Sequence, residues 1–169
     1  RLFTDPLTGA ANRSALSHIL DTLTKPPVAG TSPLPFSILF IDLDKFKPLN
    51  DQWGHDNGDR ALIEVVQRIK AILRSNDILF RLGGDEFVAV LIGAETDAQV
   101  DIVRTKIQEG LTVALTSLQD VPAGVSVYIG ASIGQAIFPL NGSDAQTLLN
   151  HADRDMYLQK RRGQGAQPS

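Results

Sequence analysis

Hydrophobic spacing divides the 169-residue chain into alternating helical and strand-like stretches. Ala10 to Leu23 carries Ala15, Leu16, Ile19, Leu20 and Leu23 at helical intervals, which predicts a helix with one inward face. Phe36 to Ile41 is nearly all apolar and β-rich, the pattern of a strand buried on both faces. It stops at Asp42-Leu43-Asp44. Asp44 suits the N-cap of a short helix entered through Lys45-Phe46-Lys47, where Pro48 fits only in the first turn. Leu62, Val65, Val66, Ile69, Ile72 and Leu73 form one face of a further helix. Ile78 to Leu82 and Phe87 to Ile92 predict two strands joined tightly at Gly83-Gly84, since a two-residue turn needs positive φ.

Val100, Val103, Ile107, Leu111, Leu115 and Leu118 then mark a long amphipathic helix. Val125, Val127, Ile129, Ala131 and Ile133 alternate as in a half-buried strand. Ser143 or Asp144 can cap a last helix that turns Leu148, Leu149, Ala152 and Met156 inward. The predicted order is α-β-α-α-β-β-α-β-α. One hairpin plus crossover helices gives an α+β sheet with helices packed on its faces.

Composition narrows the class without choosing within it. With 43% hydrophobic and 21% charged residues, the chain has an ordinary globular make-up and a length suited to one domain. No apolar run is long enough to span a bilayer, and no secretory leader is visible. The absence of cysteine removes disulfides and thiolate-bound zinc. A net charge of -3 argues against a nucleic-acid surface. The chain opens on Arg1 and reads as a piece of a longer protein, with a domain over 1–162 and a flexible tail over 163–169.

Two acidic clusters carry the candidate chemistry: Asp42 with Asp44 after the buried strand, and Asp85 with Glu86 after the glycine turn. If the strand lies beside the hairpin, Asp42 and Asp85 converge. Converging carboxylates repel unless a cation lies between them, and hard oxygen donors select Mg²⁺ or Mn²⁺. Gly83 and Gly84, lacking Cβ, let a ligand approach the backbone. A plain turn with surface acids accounts for Gly-Gly-Asp-Glu equally well on its own. Asn50 and Asp59 flank Gly54-His55 and Gly58. An Asp can accept from guanine N1–H and N2–H₂, and an Asn can serve either the O6 and N7 side or the N3 side. Helix capping explains the same two residues. No Gly-x-x-x-x-Gly-Lys-Ser/Thr run is present, which disfavours a P-loop NTPase.

Taken jointly, these segments resemble the GGDEF family of diguanylate cyclases over nearly the whole chain. The signature stands as Arg81-Leu82-Gly83-Gly84-Asp85-Glu86-Phe87. Asp5-Pro6-Leu7-Thr8-Gly9 with Asn12-Arg13 matches the family's opening segment. Asp42 to Lys47, Asn50-Asp51, Gly54-His55 and Gly58-Asp59 match its central block. Ala131-Ser132-Ile133-Gly134, Ala152-Asp153 and Met156-Tyr157 match its closing segments.

The resemblance implies a central five-stranded, mostly antiparallel sheet flanked by helices, similar to the nucleotidyl cyclase core and polymerase palm. It implies condensation of two GTP into cyclic di-GMP with loss of pyrophosphate, by two domains meeting as a homodimer. Asp42, Asp85 and the Leu43 carbonyl would hold two Mg²⁺ (or Mn²⁺) per site. Glu86 would complete the acidic centre, and Asp85 or Glu86 would assist deprotonation of the ribose 3′-OH. Asn50 and Asp59 would read guanine, with His55, Gly83 and Gly84 near the substrate. Lys47 and Lys160 would contact the triphosphate.

Arg74-Ser75-Asn76-Asp77 stands where the family carries its Arg-x-x-Asp inhibitory product site. A helix-terminal Arg and a turn Asp are the plainer reading of those two residues. A cytoplasmic setting is implied, with no membrane contact by the domain itself, although the parent protein could be membrane-anchored. Where the family continues Lys-x-x-Gly-Arg-Asn, this chain has Lys160-Arg161-Arg162-Gly163-Gln164, so Gln164 replaces an expected arginine. A different-class alternative is a catalytically weak domain that acts as a receptor for GTP or cyclic di-GMP.

Overall fold

The computed structural model describes residues 2–166, with side chains to residue 163. The elements are α1 (Arg13–Leu23), β1 (Phe36–Asp44), α2 (Phe46–Trp53), α3 (His55–Ile72), β2 (Ile78–Gly83), β3 (Glu86–Ile92), α4 (Asp97–Leu111), β4 (Gly130–Phe138) and α5 (Ala145–Ala166). Their order is the one that the hydrophobic spacing predicts. The strands pair antiparallel in the order β2-β3-β1-β4, so β1 is an inner strand. This is why it is apolar on both faces. Phe36, Ile38 and Phe40 pack toward Leu16 and Leu20 of α1 and Leu148 and Ala152 of α5. Leu39, Ile41 and Leu43 face the opposite layer, against α2, α3 and α4. Full burial of each such side chain stabilises the fold by roughly 1.5–3 kcal/mol.

Caps set the helix starts. Asn12 Oδ1 accepts the Ala15 N–H at 3.0 Å before α1, and Asp144 Oδ1 accepts the Thr147 N–H at 2.8 Å before α5. Asp44 does not cap α2, contrary to expectation. It ends β1, and Lys45 leads into α2 with φ of 61°. Pro48 is the third residue of α2, where its missing N–H is not needed.

Five further expectations change. Gly83 pairs with Glu86 after a register shift, so the hairpin turns on Gly84-Asp85 and not on Gly83-Gly84. Helix α4 stops at Leu111. Arg68 of α3 donates to the carbonyls of Gly110, Val113 and Ala114 at 3.2, 2.7 and 2.7 Å, capturing groups that a longer helix would bond internally. Leu115 and Leu118 pack on the core from the loop that follows.

The predicted strand over Val125 to Ile133 begins at Gly130. Val127 and Ile129 are buried as the alternation implies, and Val127 accepts from Leu115 N–H at 2.8 Å, but no ladder forms there. The sheet among the described residues has four strands, as the hydrophobic spacing implies, and not the five that the family resemblance implied. Helix α5 continues through Ala166, beyond the expected tail boundary at 163, because the backbone of its last turns stays helical. Residues 167–169 lie outside the described residues.

Candidate active site

Asp42 and Asp44 continue the Phe36–Ile38–Phe40 face of β1 past the end of the core, because side chains two apart on a strand share a face. Asp42 lies opposite Glu86 in the ladder to β3, and the Leu43 N–H donates to the Asp85 carbonyl at 3.1 Å. The two acidic clusters thus meet where β1 ends and β3 begins. Burial pushes the Asp42 carboxyl above the ordinary aspartate range; Lys160 opposes the rise, and Asp85 and Asp44 add to it. Glu86 is raised as well, first by burial, then by the negative charges of Asp42, Asp153 and Asp85, with Arg13 opposing.

Helix α5 brings a cation to this centre. Its close approach to the sheet depends on Gly134 of β4: a Cβ there would lie 2.1 Å from both the Ala152 carbonyl and the Met156 nitrogen. One turn beyond Met156, Lys160 Nζ stands 3.1 Å from Asp42 Oδ2 and 3.0 Å from Asp44 Oδ1. Ser132 Oγ donates to the same Asp44 oxygen at 2.7 Å. Burial by itself would lower the lysine's pKa, but the bonds to Asp44 and Asp42 more than offset it and hold the ammonium above its ordinary value. The sequence grouped Asp44 with Asp42 and offered it only as a helix N-cap, with no place for Ser132 beside it. The spacing of Asp42 and Asp44 on one strand face was the available signal.

The donor set fits a hard divalent cation. It offers carboxylate oxygens from Asp42 and Asp85 and the backbone carbonyl of Leu43. Burial is the chief cause of the rise in the Asp42 carboxyl, and the negative charges of Asp85 and Asp44, which a cation would offset, add to it. No three His, Cys, Asp or Glu side chains among the described residues close on one point.

The turn beside this centre is held from within. Arg81 donates Nε and Nη2 to the Gly84 carbonyl at 3.0 and 2.9 Å, and its Nη1 lies 3.2 Å from Asp5 Oδ1. The opening segment is further tied to β2 by Arg81 N–H to Ala11 O at 2.8 Å and Ala11 N–H to Leu79 O at 3.1 Å. Hydrogen bonds from Thr8 and the charge of Arg81 outweigh burial and keep Asp5 below the usual carboxylate range.

A second group of candidates forms at the α2–α3 junction. Asn50 is half-buried on α2, Asp59 is exposed on α3, His55 is the exposed first residue of α3, and Lys47 stands exposed on α2. Lys47 and Lys160 therefore sit in different settings, one in solvent and one on the acids. The side chain of Gln164 lies outside those described.

Residues 2–166 match the family model described as diguanylate cyclase, GGDEF domain. The chain belongs to the GGDEF family. Diguanylate cyclase DosC of Escherichia coli is 38% identical to this GGDEF domain over 165 residues, covering 94% of the chain and 33% of DosC. MucR of Pseudomonas aeruginosa, a bifunctional diguanylate cyclase/cyclic di-GMP phosphodiesterase by name, is 38% identical over 162 residues, 94% of the chain and 22% of MucR. The chain thus spans a third or less of these curated relatives. Among solved structures, the GGDEF domain of TpbB (YfiN) from Pseudomonas aeruginosa has a TM-score of 0.84 at 33% identity, covering 94% of this chain and 89% of that one. The GGDEF domain of DgcB from Caulobacter crescentus, in complex with c-di-GMP, has a TM-score of 0.81 at 27% identity, covering 96% and 90%. No helix among the described residues is long and apolar enough to cross a membrane.

In this GGDEF domain Arg74 and Asp77 lie together, with Arg74 Nε 3.5 Å from Asp77 Oδ2. They border a cavity of about 250 Å³ whose wall also includes Gln99 and Lys106 of α4. Arg104, by contrast, is paired with Asp101 at 2.7 Å. The Asp77 side chain is 1% exposed, and its oxygens accept the N–H groups of Arg74 at 3.0 Å and Ile92 at 3.2 Å. Asp77 therefore ties its own turn to β3, while Arg74 remains largely in solvent.

Proposed function

We propose that this domain condenses two GTP molecules into cyclic di-GMP and releases pyrophosphate. The observation that carries this reading is the meeting of Asp42 with Asp85 and Glu86 at one end of β1, beside Lys160. Asp42, Asp85 and the Leu43 carbonyl would hold two Mg²⁺ (or Mn²⁺). Bound there, magnesium supplies charge neutralisation at the phosphates during phosphoryl transfer.

The chain's own residues do the rest. Lys160 trades part of its hold on Asp42 and Asp44 for the triphosphate, joined by Lys47. Gly83 and Gly84 leave the backbone open to the nucleotide, and Asn50 and Asp59 read the base with His55 nearby. Asp85 or Glu86 assists deprotonation of the ribose 3′-OH. Because the product is two-fold symmetric, two domains meet antiparallel, and each 3′-OH attacks the α-phosphate held by the other. Positioning contributes much of the rate. The Arg74–Asp77 cavity is the proposed inhibitory product site.

Pyrophosphate release from Mg²⁺-GTP tests the reading. Wild type should turn over, with a rate that climbs faster than linearly with enzyme concentration. Asp85→Ala should lose at least about a hundredfold. Retained nucleotide binding with no pyrophosphate release from the wild type would replace this reading with the receptor one.

A further inference from the structure

Asn50 on α2 and Gly58 on α3 meet across the Gly54 corner. Gly54 N–H donates to the Asn50 carbonyl at 2.9 Å, and Gly58 N–H donates to the Gly54 carbonyl at 3.0 Å. A Cβ on Gly58 would stand 1.7 Å from Asn50 Oδ1, 2.8 Å from its Cγ and 3.4 Å from its Nδ2. The amide thus points its oxygen at Gly58 and its nitrogen away. Oδ1 is buried and has no hydrogen-bond partner among the described residues. Reversing the amide would press two N–H donors against a Cα–H, whereas a carbonyl oxygen finds a weak C–H donor there. Position 58 lies inside a helix, where alanine is intrinsically favoured over glycine. Glycine is therefore needed for the space it leaves.

We infer that Gly58 is a specificity-determining positioning residue: by admitting Oδ1 it fixes the Asn50 amide so that its NH₂ alone faces the nucleotide. This rests on the proposal that Asn50 and Asp59 read the base, and it deepens that proposal. Asn50 then only donates, to a purine acceptor such as O6, N7 or N3. Asp59, the residue after Gly58, only accepts, and suits N1–H and N2–H₂. A donor beside an acceptor matches guanine. Adenine would turn an unprotonated N1 toward the Asp59 carboxylate, two acceptors facing each other.

The test is calorimetric binding of 3′-deoxy-GTP, which lacks the attacking hydroxyl, with 3′-deoxy-ATP as the comparison, to wild type, Gly58→Ala, Asn50→Ala and the double variant. Asn50→Ala should weaken 3′-deoxy-GTP binding about tenfold. Gly58→Ala should match it and should narrow the preference for guanine over adenine. In the Asn50→Ala background the glycine change should cost less than about twofold more. Full wild-type affinity in Gly58→Ala, or an undiminished loss when it is added to Asn50→Ala, overturns the inference.

Melting temperatures guard against misfolding. A drop in Gly58→Ala that the double variant restores confirms the clash with Asn50; an equal drop in both assigns the glycine to helix packing and ends the inference. Unchanged binding by Asn50→Ala would sink the base-reading proposal itself, a separate outcome.

Discussion

Lys160 bridges Asp42 and Asp44, with Nζ 3.1 Å from one carboxylate and 3.0 Å from the other. A residue from the last helix thereby rests on the end of the inner strand. The ammonium lowers the Asp42 carboxyl, which burial holds high, and Asp44 is shared between Lys160 and Ser132.

Replacing Lys160 by Met removes the opposing charge from Asp42. The Asp42 carboxyl should then titrate still higher, read by carbon-13 NMR of the side chain. In steady-state kinetics KM for GTP should rise roughly tenfold, the scale of one charge-assisted contact. The melting temperature should change little, because the pair is partly open to solvent.

Arg74 and Asp77 should separate cleanly by stability. Asp77→Ala leaves the N–H groups of Arg74 and Ile92 without their partner and should cost roughly 1–3 kcal/mol in urea denaturation. Arg74, whose side chain is 66% exposed, should cost no more than about 0.5 kcal/mol as Ala. Arg74→Ala is thus the variant with which to test product inhibition, and it should relieve inhibition by cyclic di-GMP while sparing initial turnover. Inhibition equal to wild type would remove Arg74 from the product site.

Glu64 should govern acid stability. This buried carboxylate accepts from Thr116 N–H at 2.9 Å, Ser117 N–H at 2.9 Å and Ser117 Oγ at 2.6 Å, and it pairs with Arg68. Burial would raise its pKa, but Ser117, Thr116 and Arg68 outweigh burial and hold it below the ordinary 4.5. A depressed folded-state pKa gives stability that is fully present above the unfolded value and is lost as pH falls through the folded one. Wild type should therefore melt progressively lower as pH drops below about 4.5, with a steeper fall than Glu64→Gln. At neutral pH Glu64→Ala should cost about 3 kcal/mol, since it strands Arg68 and the loop N–H groups.

Glu64 also marks the limit of what the sequence discloses. Its letter sits in an amphipathic helix among Arg60 and Arg68, where a solvated charge is the ordinary reading. Its partners are 52 and 53 positions away, and no local pattern names them. The same network explains why α4 ends early: Arg68 takes the carbonyls of Gly110, Val113 and Ala114 around its end, although the apolar spacing runs on to Leu118. By contrast, β1 and its terminal acids were legible, because an inner strand must be apolar on both faces and its first polar residues mark where the core stops. The one-residue error in the hairpin has a similar origin. Gly-Gly announces a turn, but the bulge that carries Gly83 into the ladder depends on pairing with Glu86.

The inner placement of β1 has a mechanical consequence. Its register is fixed on one side by β3, through Asp42 opposite Glu86, and on the other by β4, through Asp42 opposite Ser132. Sliding it one residue would break both ladders together and turn the carboxylates to the far side of the sheet. Thermal fluctuation can loosen the outer edges and still leave these oxygens in place, so amide protons around Asp42 should be among the last to exchange with heavy water.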